Sequence, residues 1–224
     1  MSTLSNVISK GCGNASTSVR LTPNTIPQVV DSKTGVSVEY AYNPDGKWFV
    51  LRTSYGRAIK ACNYLISQGI YAYSALQYKV VIENGRRKKV LKPLVPNLVF
   101  AYMTIEQANI YVKYTPALSY LSFYYNHFST NNDGKNPPLT IPNKEMENFI
   151  MATYTRNEHM RMIDEKSCHF KGGEMVRVID GPFIGVIGKV ARIAGQQRVV
   201  VSLSSIGMVC TAYIPTAFLE KIEK

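Results

Sequence analysis

The sequence predicts an α+β protein of two domains, an antiparallel sheet with flanking helices followed by a small β-barrel. The chain has 224 residues, too many for one small domain but enough for two of modest size, each burying its own core. From Lys47 to about Asp164, runs of β-forming residues alternate with segments of helical periodicity. After Gly172-Gly173 the texture changes to short strands separated by regular turns, the pattern of a small barrel. The expected divisions are an extension at 1–46, a first domain at 47–164, a linker at 165–171 and a second domain at 172–224.

The extension is rich in Ser, Thr, Asn, Gly and Pro, a composition that cannot repay ordering entropy and predicts flexibility, with one short strand in Val36–Tyr42. Trp48–Thr53, after the turn-like Asn43-Pro44-Asp45-Gly46, reads as a central strand. Ala58, Ala61, Leu65 and Ile66 then recur at helical spacing, and Gly69 stands where a glycine stop belongs. Tyr71–Ile82 and Lys89–Leu94 read as hairpin arms around Asn84-Gly85, the dipeptide that most favours a tight turn, and the tip is basic. Asn97–Tyr102 predicts a strand, Ile105–Lys113 a short helix beginning after Thr104, and Leu118–Phe128 an aromatic strand. A third helix is expected from Asn143 as cap to about Asp164, with Met146, Phe149, Ile150 and Tyr154 on its inner face. The second domain should hold strands at Met175–Ile179, Val186–Ile193, Arg198–Leu203 and Met208–Ile214.

Apolar residues make up 46% and charged residues 18%, a globular balance, and no apolar run approaches the ~20 residues of a membrane span. Met1–Gly13 lacks the basic start and apolar stretch of a secretory signal, so a soluble, cytoplasmic protein without a membrane partner is expected. The 26 basic side chains outnumber 15 acidic ones, and a net charge of +11 suits a polyanion or an acidic protein surface. The excess is +9 over residues 1–171 and only +2 over 172–224, so the barrel is not the basic part.

Several chemistries are set aside. Cys12, Cys62, Cys168 and Cys210 are scattered without a C-x-x-C pair, a pattern that suggests neither a zinc ribbon nor a disulfide framework. His159, Cys168 and His169 fall short of the four spaced ligands of a zinc site. Gly11-Cys12-Gly13 follows no strand and precedes no Gly-Lys-Ser or Gly-Lys-Thr, so it is not a nucleotide loop. No Ser-His-Asp set or paired carboxylates stand out, and neither an enzyme nor a cofactor is expected.

Gly173-Glu174-Met175-Val176-Arg177-Val178-Ile179-Asp180-Gly181-Pro182-Phe183-Ile184-Gly185-Val186-Ile187-Gly188-Lys189-Val190 resembles the KOW motif as it occurs in the NusG family. Upstream, Trp48–Arg57 and Lys92–Phe100 resemble the two hallmark strands of the NusG N-terminal domain. Together these cover Lys47–Lys224, and they imply an NGN-type antiparallel sheet joined by a linker to an SH3-like KOW barrel. The Pro96-Asn97 pair, the basic hairpin and Thr211–Pro215 resemble specialised members of the UpxY type, which act on surface-polysaccharide operons. The resemblance implies an antiterminator that docks on bacterial RNA polymerase, bridges its cleft and suppresses pausing and termination.

On that reading Trp48, Leu98 and Phe100 are candidates for an apolar patch gripping the polymerase, with burial in the core as the alternative. Arg86, Arg87, Lys88 and Lys89, with Lys92, could neutralise phosphates of nontemplate DNA or nascent RNA, although charge runs at turns are often only solvated. The resemblance adds Arg52, Arg57 and Lys60 as nucleic-acid candidates. It also implies Ile206 as the KOW side chain offered to a ribosomal protein or to the termination factor Rho. The β-branched Arg198–Ser202 run and the residues Gly181, Pro182, Gly185 and Gly188 oppose a helical form of the second domain. The competing functions are a general NusG elongation factor, a basic ribosomal-RNA-binding KOW protein and an adaptor for another helical partner.

Overall fold

The computed structural model describes residues 17–20, 36–40, 43–163 and 169–222. Two short strands come first, β1 (Thr17–Arg20) and β2 (Val36–Glu39), paired in parallel. Next come β3 (Lys47–Thr53), helix α1 (Ala58–Ser67), β4 (Tyr71–Tyr73), β5 (Leu76–Glu83), β6 (Arg86–Pro93) and β7 (Leu98–Met103). Helix α2 (Ile105–Asn109) continues into a π-helical turn at Ile110–Tyr114, followed by β8 (Leu121–Phe123), β9 (Thr140–Ile141) and α3 (Asn143–Thr153). The remaining strands are β10 (Arg161–Ile163), β11 (His169–Val178), β12 (Ile187–Ile193), β13 (Gln196–Leu203), β14 (Gly207–Cys210) and β15 (Leu219–Lys221).

The first sheet has the order β4-β7-β3-β8, with β9 also pairing with β3, and all its pairings are antiparallel. Each of its faces is covered by helix, which is why β7 is buried at every position instead of alternating. Phe49, Leu51, Val99 and Ala101 pack with Ala58, Ala61 and Leu65 of α1 and Ala108 of α2. On the opposite face Trp48, Val50, Leu98, Phe100 and Tyr102 share a core with Met146, Phe149 and Ile150 of α3. The Phe100 and Phe149 rings meet edge to face at 5.3 Å, the geometry that aligns the positive edge of one ring with the negative face of the other.

Helix α1 ends as its sequence directs: Gly69 adopts φ 79°, and the Gly69 and Ile70 amides donate to the carbonyls of Ile66 and Leu65. Helix α2 opens with a reciprocal capping box in which the Thr104 side chain accepts from the Gln107 amide and the Gln107 side chain from the Thr104 amide. The hairpin turns at Asn84-Gly85, both with positive φ, but its strands are Leu76–Glu83 and Arg86–Pro93. Tyr71–Tyr73, read from the sequence as part of that arm, pairs instead with β7 in the main sheet. Leu118–Phe128 is strand only at Leu121–Phe123, because Pro116 starts a 3-10 turn before it and Asn126-His127 enters a loop after it.

The third helix differs from expectation at both ends. Its N-cap is Pro142, with Asn143 as the first helical residue, and it stops at Thr153 instead of Asp164. The Thr153 hydroxyl back-bonds to the Phe149 carbonyl at 2.7 Å, and Arg156 turns to φ 53°, a left-handed conformation that cannot continue a helix. Its inner face is as expected, with Met146, Phe149 and Ile150 buried and Tyr154 buried just past the end.

The C-terminal strands form a six-stranded antiparallel sheet of order β10-β14-β13-β12-β11-β15. It takes in Arg161–Ile163, which precedes the stretch expected to be a linker, and His169–Lys171 already belongs to β11. One face, with Val176, Val178, Val199, Val201, Leu203 and Val209, joins the same core as α3 and the first sheet. The Asn148 side chain bonds both the N–H and the carbonyl of Ile187, and the Glu145 carboxylate accepts from the Ser204 amide and hydroxyl at 3.0 and 2.9 Å. Buried Arg198 donates to the His159 and Thr211 carbonyls, tying the segment after α3 to this sheet.

Candidate functional site

The candidate nucleic-acid residues fall in two places, the β5–β6 hairpin and the corner between β3 and α1. Among the described residues the β5–β6 hairpin pairs with no other strand, and Arg86, Arg87, Lys88, Lys89 and Lys92 are all exposed along it. Lys88 meets Glu83 at 3.2 Å and Lys89 meets Glu158 at 3.5 Å, whereas Arg86, Arg87 and Lys92 have no acidic partner among the described residues. Cross-strand register places Arg87 opposite Ile82 and Lys89 opposite Val80, so one face combines cations with exposed apolar side chains. The hairpin is braced at its base, where the Tyr78 amide donates to the Arg156 carbonyl and the Leu94 amide to the Ala75 carbonyl.

The second place is the corner between β3 and α1. The Arg57 amide reaches the Ser54 carbonyl at 3.4 Å across a tight turn whose central residues, Tyr55 and Gly56, both have positive φ, 57° and 68°. The Asn97 side chain accepts from the Gly56 amide and its carbonyl accepts from the Thr53 amide, so the β6–β7 connection buttresses this turn. The Arg57 guanidinium lies 4.9 Å from the Tyr120 ring centre and 5.5 Å from that of Tyr55, within cation–π range of both. Arg52 and Lys60 are exposed nearby in sequence, Arg52 on β3 opposite Leu98 and Ser122 and Lys60 in the first turn of α1.

Trp48, Leu98 and Phe100 are not an exposed patch. Trp48 and Phe100 are wholly buried and Leu98 is 8% exposed, because α3 lies over that face of the sheet. Tyr40, from the segment preceding β3, closes one edge of it, standing edge-on to Trp48 and donating its hydroxyl to Glu147 at 3.0 Å. Burial, aided by the Glu147 carboxylate, pushes the Tyr40 phenol up to about 12. Ile206 is half-buried against the shared core, in the same β13–β14 turn that Glu145 holds through Ser204. Among the described residues no group of His, Cys, Asp and Glu is placed to hold a metal ion; Cys168 lies outside them.

Sequence reasoning did not single out Tyr55, which is 88% exposed and shares the Arg57 guanidinium with Tyr120. The available signal was Tyr55-Gly56 directly after a strand and before a helix, a turn position where an aromatic residue is out of place. Tyr120, distant in sequence, could not be linked to it without the fold.

Residues 46–150 match the family model described as "Transcription termination factor nusG", which supports membership of the NusG family. Proteins of that family are non-catalytic transcription elongation and termination factors that bind RNA polymerase. The match covers the first sheet and its helices and ends within α3, so the C-terminal sheet lies outside it. No curated protein matches the chain. No helix among the described residues is long and apolar enough to cross a membrane.

Proposed function

We propose, on the premise of the NusG-family membership that the match supports, that this chain is an antiterminator that binds elongating bacterial RNA polymerase and suppresses pausing and termination. The match over 46–150, which falls on a helix-covered antiparallel sheet with two basic outcrops, carries the reading. A body that bridges the polymerase cleft favours the closed, processive state over the open, paused one by its differential affinity for the two. A preference of about 1.4 kcal/mol shifts that balance tenfold.

Trp48, Leu98 and Phe100 take part as the rigid floor beneath the polymerase-binding face, since α3 covers them. Arg86, Arg87, Lys88 and Lys89 on the hairpin, with Arg52, Arg57 and Lys60 at the β3–α1 corner, contact nontemplate DNA or nascent RNA. The C-terminal sheet, read as a KOW barrel, offers Ile206 and its turn to a ribosomal protein or to Rho. Action on surface-polysaccharide operons rests on the resemblance to specialised members.

The test is transcription in vitro by purified bacterial RNA polymerase on the leader of the neighbouring operon, with and without this protein. Readthrough raised on that leader alone is expected. An effect on every template would favour a general elongation factor, and no effect together with no polymerase binding would remove the proposal.

A further inference from the structure

We infer that Tyr55, backed by Arg57 and Tyr120, is a stacking platform for an unpaired base of single-stranded nucleic acid. This rests on the nucleic-acid reading of the β3–α1 corner and names what that corner holds. A bulky aromatic residue in the left-handed region is a genuine backbone outlier, since its Cβ crowds the following carbonyl. Tyr55 adopts φ 57° while 88% of its surface faces solvent, so no burial of its ring compensates. An exposed cation–π contact offsets only part of that cost. Local strain of this kind, held by the surrounding hydrogen bonds of Asn97, is what functional positions carry.

The three side chains cluster around one cation. Tyr120 is half-buried with its hydroxyl enclosed by protein, the Arg57 guanidinium lies 4.9 Å from its ring centre and 5.5 Å from that of Tyr55, and the Tyr55 ring is the exposed one. The guanidinium places positive charge beside the Tyr55 ring, and Arg52 and Lys60 are exposed cations nearby in sequence. Aromatic faces flanked by cations bind single strands because every base has a π-face and every link a phosphate. A duplex offers no such face along its length, so the platform discriminates for unpaired bases.

The experiment measures binding of the full-length protein to fluorescent 15-nucleotide thymidine and uridine oligomers and to a DNA duplex of equal length. Tyr55→Ser and Tyr55→Phe are compared with the wild type across a salt series, alongside binding to RNA polymerase. Tyr55→Ser should weaken single-strand binding about tenfold with an unchanged salt slope, because a neutral stacking group is lost, while Tyr55→Phe retains it. Duplex and polymerase binding should not change. Tyr55→Asn, suited to positive φ, should raise the unfolding temperature yet also lose single-strand binding, which separates strain relief from folding failure. Equal affinity of Tyr55→Ser and wild type for both oligomers, or no single-strand binding by the wild type, overturns the platform. Loss of polymerase binding in the wild type would instead overturn the proposed function.

Discussion

The Asn148 side-chain amide, on α3, spends both its donor and its acceptor on one residue, the backbone of Ile187 at the start of β12. A side chain of α3 thereby holds the backbone at the start of an interior strand of the C-terminal sheet. Asn148→Ala leaves the partly buried Ile187 N–H and carbonyl without that partner, and should lower unfolding stability by about 1–3 kcal/mol. Urea unfolding checks this. Adding Glu145→Ala, which frees the Ser204 turn, should split the single transition into two if these bonds couple the halves.

The hairpin cations are unequal. Lys88 and Lys89 already face Glu83 and Glu158, while Arg86 and Arg87 have no acidic partner among the described residues. If all four meet phosphates, each contact contributes about 0.7–0.9 to the slope of log affinity against log salt. Arg86→Ala with Arg87→Ala should therefore reduce that slope by about 1.4–1.8, and the two lysine substitutions together by less. Anisotropy titrations across a salt series report the slopes directly, and identical losses for both pairs would show that the ion pairs do not hold the lysines back.

Gly188 is required by space, not by its backbone angle. A Cβ there would come within 2.4 Å of the Val200 carbonyl oxygen and 2.7 Å of a Val199 methyl. The carbonyl belongs to the paired strand β13 and cannot yield without breaking the ladder. Gly188→Ala should cost about 1–3 kcal/mol or more, as overpacked cores do, and depress the thermal midpoint of the C-terminal sheet. Gly195→Ala, where nothing lies within 4 Å of the added carbon, is the comparison; its φ of 77° gives a milder penalty.

Much of the fold was legible because its signals are local. Gly69, Thr104 and Asn84-Gly85 end, cap and turn their elements by chemistry contained within a few residues. The end of α3 was not legible, since Asn157–Asp164 is polar enough to extend a helix and only the Thr153 back-bond and the pairing of β10 with distant β14 show otherwise. The same reason hid the status of Trp48, Leu98 and Phe100. Alternation along a strand tells which residues share a face, not whether α3 covers it. The hairpin cations are exposed, since a charge run has no cheaper place than water, and Tyr55 was passed over because strain resides in φ, which the sequence does not display.

Tyr40 and Tyr73 give the protein a distinct alkaline response. The Tyr40 phenol is raised to about 12, chiefly by burial, and Tyr73, buried against Thr153, is raised as well. For both phenols the folded state holds the proton more tightly than the unfolded one, so folding favours the neutral form. The stabilisation is complete below the ordinary tyrosine value of about 10 and is lost as pH rises toward 12. Ultraviolet titration of the phenols should show a late-titrating fraction in the native protein that merges with the rest in urea. Tyr40→Phe should remove part of that late fraction and leave a shallower decline of stability between pH 10 and 12, while losing the Glu147 contact at every pH. An unchanged late fraction in Tyr40→Phe would mean that the phenol is open to solvent, and the packing of the segment before β3 over Trp48 would have to be abandoned.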